Sequence, residues 1–359
     1  MTALRVVAFL DDIAAFLSHS EQQRLASTCR LIYATLGEKR WPLETLDSFL
    51  REREHLESLV RQLLQQPRGR SRRRSRLRDD QNRVLVRDLA LVALGVRPSC
   101  LIDVCALDDE TITALLTAFQ NDSVPWRTFG FHQLRCISLA GNVFFVHVSA
   151  FLQLKALDIA SSFRLTTFVD ASESLQEPQV MLPHHLSIER LLDATRRVLQ
   201  DLSSPSTTRS IAVDVRGLSA TALAGIMLCY PFVYHISPPS NDNGGDSLWS
   251  VEGNCLAMRP LHVVQTAIRR SPGGSRSLKA GGDHSTVSFV LQEFSAPQHL
   301  FAAARTSLDA RSLSRVISTY RSTVERSLLR ALARDNCQTI ATWQPIVSIS
   351  TRTLSHVGL

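Results

Sequence analysis

From residue 1 to about residue 66 the apolar positions recur at helical spacing, with Gly37 and Pro42 as the only helix breakers. Ser20 stands ahead of Glu21-Gln22-Gln23 as an N-cap, and Leu25, Cys29, Ile32 and Leu36 then fall on one helical face. A further segment, Leu43 to Leu64, carries Leu46, Leu50, Leu56, Leu59, Val60, Leu63 and Leu64. The pattern stops at Gln65-Gln66-Pro67, where an Arg/Ser-rich stretch with almost no apolar residues begins; like charges repel, so it is expected to stay extended. The periodicity thus predicts a small helical module over 1–66, a linker over 67–83 and a second domain over 84–359.

Within that second domain, strand-like and helix-like segments alternate. Strands are expected at Ser99–Ala106, Leu134–Leu139, Val143–Val148, Arg164–Val169, Ser210–Val215, Phe232–Ile236, Thr286–Phe294 and Pro345–Arg352. Helices are expected after three caps: Asp108-Asp109-Glu110 before Ile112 to Phe119, Ser187 before Ile188 to Leu202, and Ser219 before Ala220 to Leu228. A long helix is expected after Pro297, with Leu308, Val316, Tyr320, Val324, Leu328 and Leu332 on one stripe. Ala140-Gly141-Asn142 reads as a tight hairpin turn, and Ser237–Ser247 and Ser271–Asp283 read as exposed loops. The expected fold class is α+β or α/β: an N-terminal helical module and a C-terminal mixed α/β domain with a central sheet.

Charge changes this picture in one place. The 40 basic and 33 acidic residues give a net charge of +7. Seven arginines (Arg68, Arg70, Arg72, Arg73, Arg74, Arg76 and Arg78) lie in one run without an acid among them, so the rest of the chain is balanced, 33 against 33. Such a run can bind nucleic-acid phosphates, serve as a nuclear import signal, accept phosphate on Ser71 and Ser75, or act as a plain linker. Only Lys39, Lys155 and Lys279 are lysines, so 37 of the 40 basic residues are arginine, and an arginine-rich segment is less distinctive in such a chain. No aromatic residue interleaves with it, which leaves base stacking without a platform. No uncharged apolar stretch reaches about 18 residues, so no membrane span is expected, and a cytoplasmic or nuclear location follows. Seven scattered cysteines without a Cys-x-x-Cys motif read as small apolar side chains in a reducing compartment.

Enzyme-like features each have a plainer counterpart. The segment Val213-Asp214-Val215-Arg216-Gly217-Leu218-Ser219 runs from a strand through Gly-x-Ser into a helix, as a hydrolase nucleophile elbow does, but Thr221 occupies the place of the second glycine. The plainer reading, which the missing glycine favours, is that Ser219 caps the helix. Asp108, Asp109 and Glu110 stand at a strand end where carboxylates can gather a metal, and also at a helix start, where the dipole favours them. Gly273-Gly274-Ser275-Arg276-Ser277-Leu278-Lys279 lacks the Gly-Lys-Ser/Thr ending of a phosphate loop, and Asn241–Asp246 lacks the glutamate of a calcium loop. His184-His185 has no further ligand nearby in sequence. No metal, cofactor or catalytic residue is expected.

Two resemblances bear on function. Residues 12–33, with Phe16-Leu17, Leu25-Ala26, Thr28-Cys29-Arg30 and Tyr33, resemble an F-box, with Phe9-Leu10-Asp11-Asp12 in place of the usual Leu-Pro opening. That resemblance implies docking to a Skp1-type adaptor of a cullin ubiquitin ligase through Phe16, Leu17, Leu25, Cys29 and Tyr33. The same stripe would also serve to pack a three-helix module on itself or on the second domain. Residues from about 84 to 359 resemble an uncharacterised eukaryotic family typified by the product of chromosome-one open reading frame seventy-four. The resemblance rests on Leu228-Cys229-Tyr230-Pro231-Phe232-Val233-Tyr234, Gly253-Asn254-Cys255-Leu256-Ala257-Met258-Arg259-Pro260-Leu261 and Phe294-Ser295-Ala296-Pro297-Gln298-His299-Leu300-Phe301. The family implies no particular chemistry. The expected function is a non-catalytic adaptor joining a ligase core to a protein substrate; the alternatives are a hydrolase-like enzyme and a nuclear or RNA-associated protein acting through the arginine run.

Overall fold

The computed structural model describes residues 46–65, 78–120, 129–156, 166–204, 210–237, 254–270, 288–302, 316–325 and 343–353. The chain forms two compact units, 1–42 and 43–359, and every described residue belongs to the second. That unit starts upstream of the boundary the charge run suggests. Helix α1 (Leu46–Gln65) buries Phe49, Leu56 and Val60 in the same core as helix α2 (Asp79–Ala93), so it is not part of a separate module. Phe49 meets the rings of Phe129 and Phe289, with centroids 6.4 and 6.3 Å away. Residues 79–83, expected in the linker, form the first turn of α2, where Asp79 and Asp80 face the positive end of the helix dipole. The buried Asn82 Nδ2 donates to the Glu57 carbonyl at 2.9 Å, and Arg61 pairs with Asp79 at 2.9 Å, holding α1 on α2.

The first sheet has the order β1-β3-β2-β6, built from β1 (Ser99–Ile102), β2 (Leu134–Leu139), β3 (Asn142–His147) and β6 (Ser210–Val213). The β2–β3 hairpin turns through Ala140 and Gly141 at φ of 49° and 79°. Two successive left-handed residues are what a two-residue turn needs to match the strand twist. Both faces of this hairpin are apolar. Leu134, Cys136, Val143 and Phe145 pack toward α1, α2 and α3 (Asp109–Gln120); Ile137, Leu139, Phe144 and Val146 pack toward α4 (Val148–Ala156), α5 (Leu186–Ser203) and α6 (Ala220–Met227). The sheet therefore lies between two helical layers. Gly130 precedes β2 at φ 78°, and a Cβ there would fall 2.5 Å from the Ala93 carbonyl, so the end of α2 sits directly on this turn.

The second sheet, β5-β4-β7, joins β4 (Thr167–Asp170) to β7 (Phe232–His235) in parallel and to the short β5 (Gln179–Val180) in antiparallel fashion. The third, β10-β8-β9, is made of the long strands β8 (Pro260–Arg270), β9 (Ser288–Pro297) and β10 (Trp343–Thr353). Neither β5 nor β8 is among the expected strands. In β8, Leu261, Val263, Val264 and Ile268 are interrupted by His262, Gln265, Thr266 and Arg269, so no apolar run marks it. After Pro297, helical residues are α7 (His299–Ala302) and 316–325, with Val316, Tyr320 and Val324 buried at four-residue spacing; the rest of the expected long helix lies outside the described residues. The observed class is α+β.

A chain starting at residue 43 should unfold in one cooperative step, close in midpoint to the full chain's slowest-melting unit. A chain starting at residue 67 loses Phe49, Leu56 and Val60 from the core and should lose that transition in calorimetry.

Candidate site at the carboxyl ends of β4 and β7

Parallel neighbours β4 and β7 end together, with Asp170 in register with His235. Carboxyl ends of parallel strands are where open α/β sheets place functional groups. The chain continues the pairing one step, since Ala171 N–H donates to the His235 carbonyl at 2.9 Å. Asp170 Oδ1 accepts from the Ser172 backbone N–H at 3.0 Å and from Ser172 Oγ at 2.6 Å. Ser172 Oγ in turn accepts from Ser237 N–H at 2.9 Å and lies 3.1 Å from Ser237 Oγ. A carboxylate thus anchors two serines, one beyond each strand.

His235 is only 3% exposed, and its Nδ1 has no hydrogen-bond partner among the described residues. Burial lowers its pKa, nearby Asp170 opposes that shift, and His185 adds to it. The His185 ring lies with its centroid 6.5 Å from that of His235. His185 is the N-cap of α5: its Nδ1 accepts from Ser187 N–H at 3.2 Å, which requires a lone pair on Nδ1 and places the ring proton of the neutral form on Nε2. The cap expected at Ser187 lies two residues earlier, at His185: the imidazole, not the serine hydroxyl, reaches the free backbone donor.

Ser219, the serine of the elbow-like segment, caps α6. Its Oγ accepts from Ala222 N–H at 3.3 Å and from Ile236 N–H at 3.1 Å, and the side chain is buried. With both acceptor positions facing backbone donors, the hydroxyl is held as a strut between α6 and the end of β7. Asp108 Oδ1 accepts from Thr111 N–H at 2.8 Å at the start of α3, with Asp109 and Glu110 in the first turn, so this acidic group does the work of a helix cap. Among the described residues no group of three or more His, Cys, Asp and Glu side chains is placed to hold a metal ion. Burial pushes the thiol of Cys100 up to about 12 and those of Cys105 and Cys136 up to about 11, and it raises that of Cys255 as well. These thiols stay protonated at neutral pH and are poor nucleophiles.

β5 pairs with β4, and β5 itself, the segment that follows it and the segment that precedes β8 carry exposed apolar side chains. Val180, Leu182, Leu186 and Met258 are 54, 75, 59 and 70% exposed, and they are four of the six large hydrophobic side chains exposed among the described residues. Arg259 joins their segments: Nε donates to the Cys255 carbonyl at 3.0 Å, one terminal nitrogen pairs with Glu177 at 3.2 Å, and the other donates to the Gln176 carbonyl. Met258 has φ of 58°, a left-handed turn residue carrying a large side chain outward.

Asp170, Ser172, His235 and Ser237 are absent from the sequence-based candidates. Their signal is a repeated strand ending, Val169-Asp170-Ala171-Ser172 and Tyr234-His235-Ile236-Ser237, in which a polar residue and then a serine follow an apolar strand. The F-box-like residues Phe16, Leu17, Leu25, Cys29 and Tyr33 lie outside the described residues. So do Arg70, Arg72, Arg73, Arg74 and Arg76, the phosphorylation candidates Ser71 and Ser75, and the two glycine-rich loop motifs.

The second unit is therefore an α+β domain with a helix-covered sheet, whose polar strand ends are braced internally. The family described as a domain of unknown function (DUF4504) matches residues 68–315, more than half of the chain, and the chain belongs to that family. No curated protein and no solved structure matches it. Among the described residues no helix is long and apolar enough to cross a membrane.

Unfolded, the His235 imidazole takes up a proton near its ordinary value of 6.5, whereas the buried ring resists protonation. The unfolded state then binds more protons, so stability falls as pH drops through 6.5 and is insensitive to this group above it. His235→Gln should flatten that part of the acid slope in a series of denaturant midpoints. Ser219→Ala should lower stability by about 1–2 kcal/mol through loss of the cap, measured by urea unfolding; strong fluorophosphonate labelling of Ser219 would contradict the strut role.

Proposed function

We propose that the protein is a non-catalytic adaptor, in which the F-box-like residues Phe16, Leu17, Leu25, Cys29 and Tyr33 engage a Skp1-type adaptor of a cullin ligase and the family domain recruits a protein substrate. The observation that carries this reading is the exposure of four large apolar side chains, Val180, Leu182, Leu186 and Met258, on segments that Arg259 ties together. Clustered exposed hydrophobics rimmed by polar groups mark protein interaction sites. Here the Arg259–Glu177 pair and His185 lie on the same segments as the exposed apolar side chains. The engagement of Ser219 and Asp108 as helix caps, and the raised thiols, favour binding over catalysis. Such an adaptor works in the cytoplasm or nucleus.

Full-length protein is expected to co-purify with a Skp1-type adaptor, and Phe16→Asp with Leu17→Asp should abolish that while leaving the melting of the family domain unchanged. Leu182→Asp should leave adaptor binding intact but reduce ubiquitination of proteins photo-crosslinked through position 182 or its neighbours. Failure of the intact chain to recover the adaptor overturns the ligase reading.

A further inference from the structure

Among the described residues, strand β10 has a neighbour on one edge alone. It pairs with β8 in an unbroken register over its whole length, Trp343↔Arg270 to Thr353↔Pro260, and the far side of β8 is taken by β9. The phase of the ladder fixes which peptide groups turn outward. Gln298 N–H donates to the Pro260 carbonyl, so Leu261 and Pro297 form a non-hydrogen-bonded pair, while His262 and Val264 turn their peptide groups to β9. The odd-numbered residues of β8 therefore serve β10. In the register Val263↔Ser350, Gln265↔Ser348 and Ala267↔Ile346 they meet even-numbered residues. Pro345, Val347, Ile349 and Thr351 are left with their backbone directed away from the sheet. Pro345 supports the same phase independently, because a residue without an N–H belongs on the side that has no ladder.

Residues 348–353 are all exposed, and Ile349 is 49% exposed. Natural edges are blunted by lysine, proline, bulges or inward charges. Between Ile346 and Thr351 this strand has none of them: Pro345 lies at its start, and the irregularity of this sheet falls on the β8–β9 side. Its single charge, Arg352, lies 3.6 Å from Glu293 across the sheet and is balanced there.

We propose that β10 is the docking edge for a second copy of this chain, the two β10 strands pairing antiparallel about Ile349 into one six-stranded sheet. In that register Ile349 faces the second copy's Ile349, Val347 faces Thr351, Ser348 faces Ser350 and Arg352 faces Ile346. Every outward-directed residue meets an outward-directed one, as hydrogen-bonded pairing requires, and no like charges meet. The β-branched pairs Ile349–Ile349 and Val347–Thr351 are favoured across antiparallel strands. The pairing is isologous and closed, so it ends at a dimer.

The test is the mass of the full-length chain by light scattering, 39.9 kDa for one copy. The native chain is expected at twice that mass at micromolar concentration. Ile349→Arg and Ile349→Glu should each give the single-copy mass, since like charges would then stand directly opposite, while an equimolar mixture of the two should recover the double mass. Recovery on mixing separates lost pairing from lost folding. A native chain of single-copy mass, or a double mass that Ile349→Arg leaves unchanged, overturns the proposal.

Discussion

The constraint on which the rest of the second unit depends is that neither face of the β2–β3 hairpin can meet water. Leu134, Cys136 and Phe145 on one side and Ile137, Leu139 and Phe144 on the other are all buried, so the sheet needs a helical layer on each face. That requirement explains why α1 belongs here: without Phe49, Leu56 and Val60 one face would lose part of its cover. It also accounts for α4 and α5, which lie between β3 and β6 in the chain and cover the face that α1, α2 and α3 leave open. The arrangement is a polypeptide solving one burial problem twice.

Much of this was legible in the residues, and the exceptions have physical causes. The hairpin is clear because Ala140-Gly141-Asn142 combines turn chemistry with apolar flanks, α3 and α6 because Asp108 and Ser219 cap them ahead of their apolar stripes, and α5 by its apolar stripe although its cap is His185. Strand β8 was hidden because a strand covered unevenly on its two sides mixes polar and apolar residues without strict alternation. The place of α1 was hidden for a different reason. An amphipathic helix next to a charged run reads as the end of a module, and sequence periodicity reports which face is apolar but not what that face packs against. The matched family span, 68–315, likewise begins after α1 and ends before β10, although both pack with the residues it includes.

The polar groups near the strand ends show how a resemblance to catalytic chemistry arises from structural needs. Ser219, Asp108 and His185 all sit at helix N-termini, where unpaired backbone donors select oxygen or nitrogen acceptors. Those are the residue types from which active sites are also assembled. Sequence spacing alone does not separate the two uses; the hydrogen-bond partners show that all three residues cap helices. The strand-end cluster of Asp170, Ser172, His235 and Ser237 is not legible in the sequence because its members are distant along the chain and meet through the parallel pairing of β4 with β7.

That cluster also bears on how the chain can vary. Ser172 accepts from the Ser237 N–H and forms an isolated bridge with Asn254, so the points where the chain leaves β7 and returns toward β8 are tied to one residue. The span between Ser237 and Asn254 is thereby closed at its base whatever its length. Since each doubling of a loop costs only about 0.6 kcal/mol in closure entropy, added length there is cheap. Evolutionary insertions, or a reporter domain placed by an experimenter, can be accommodated between those two anchors without moving the strands.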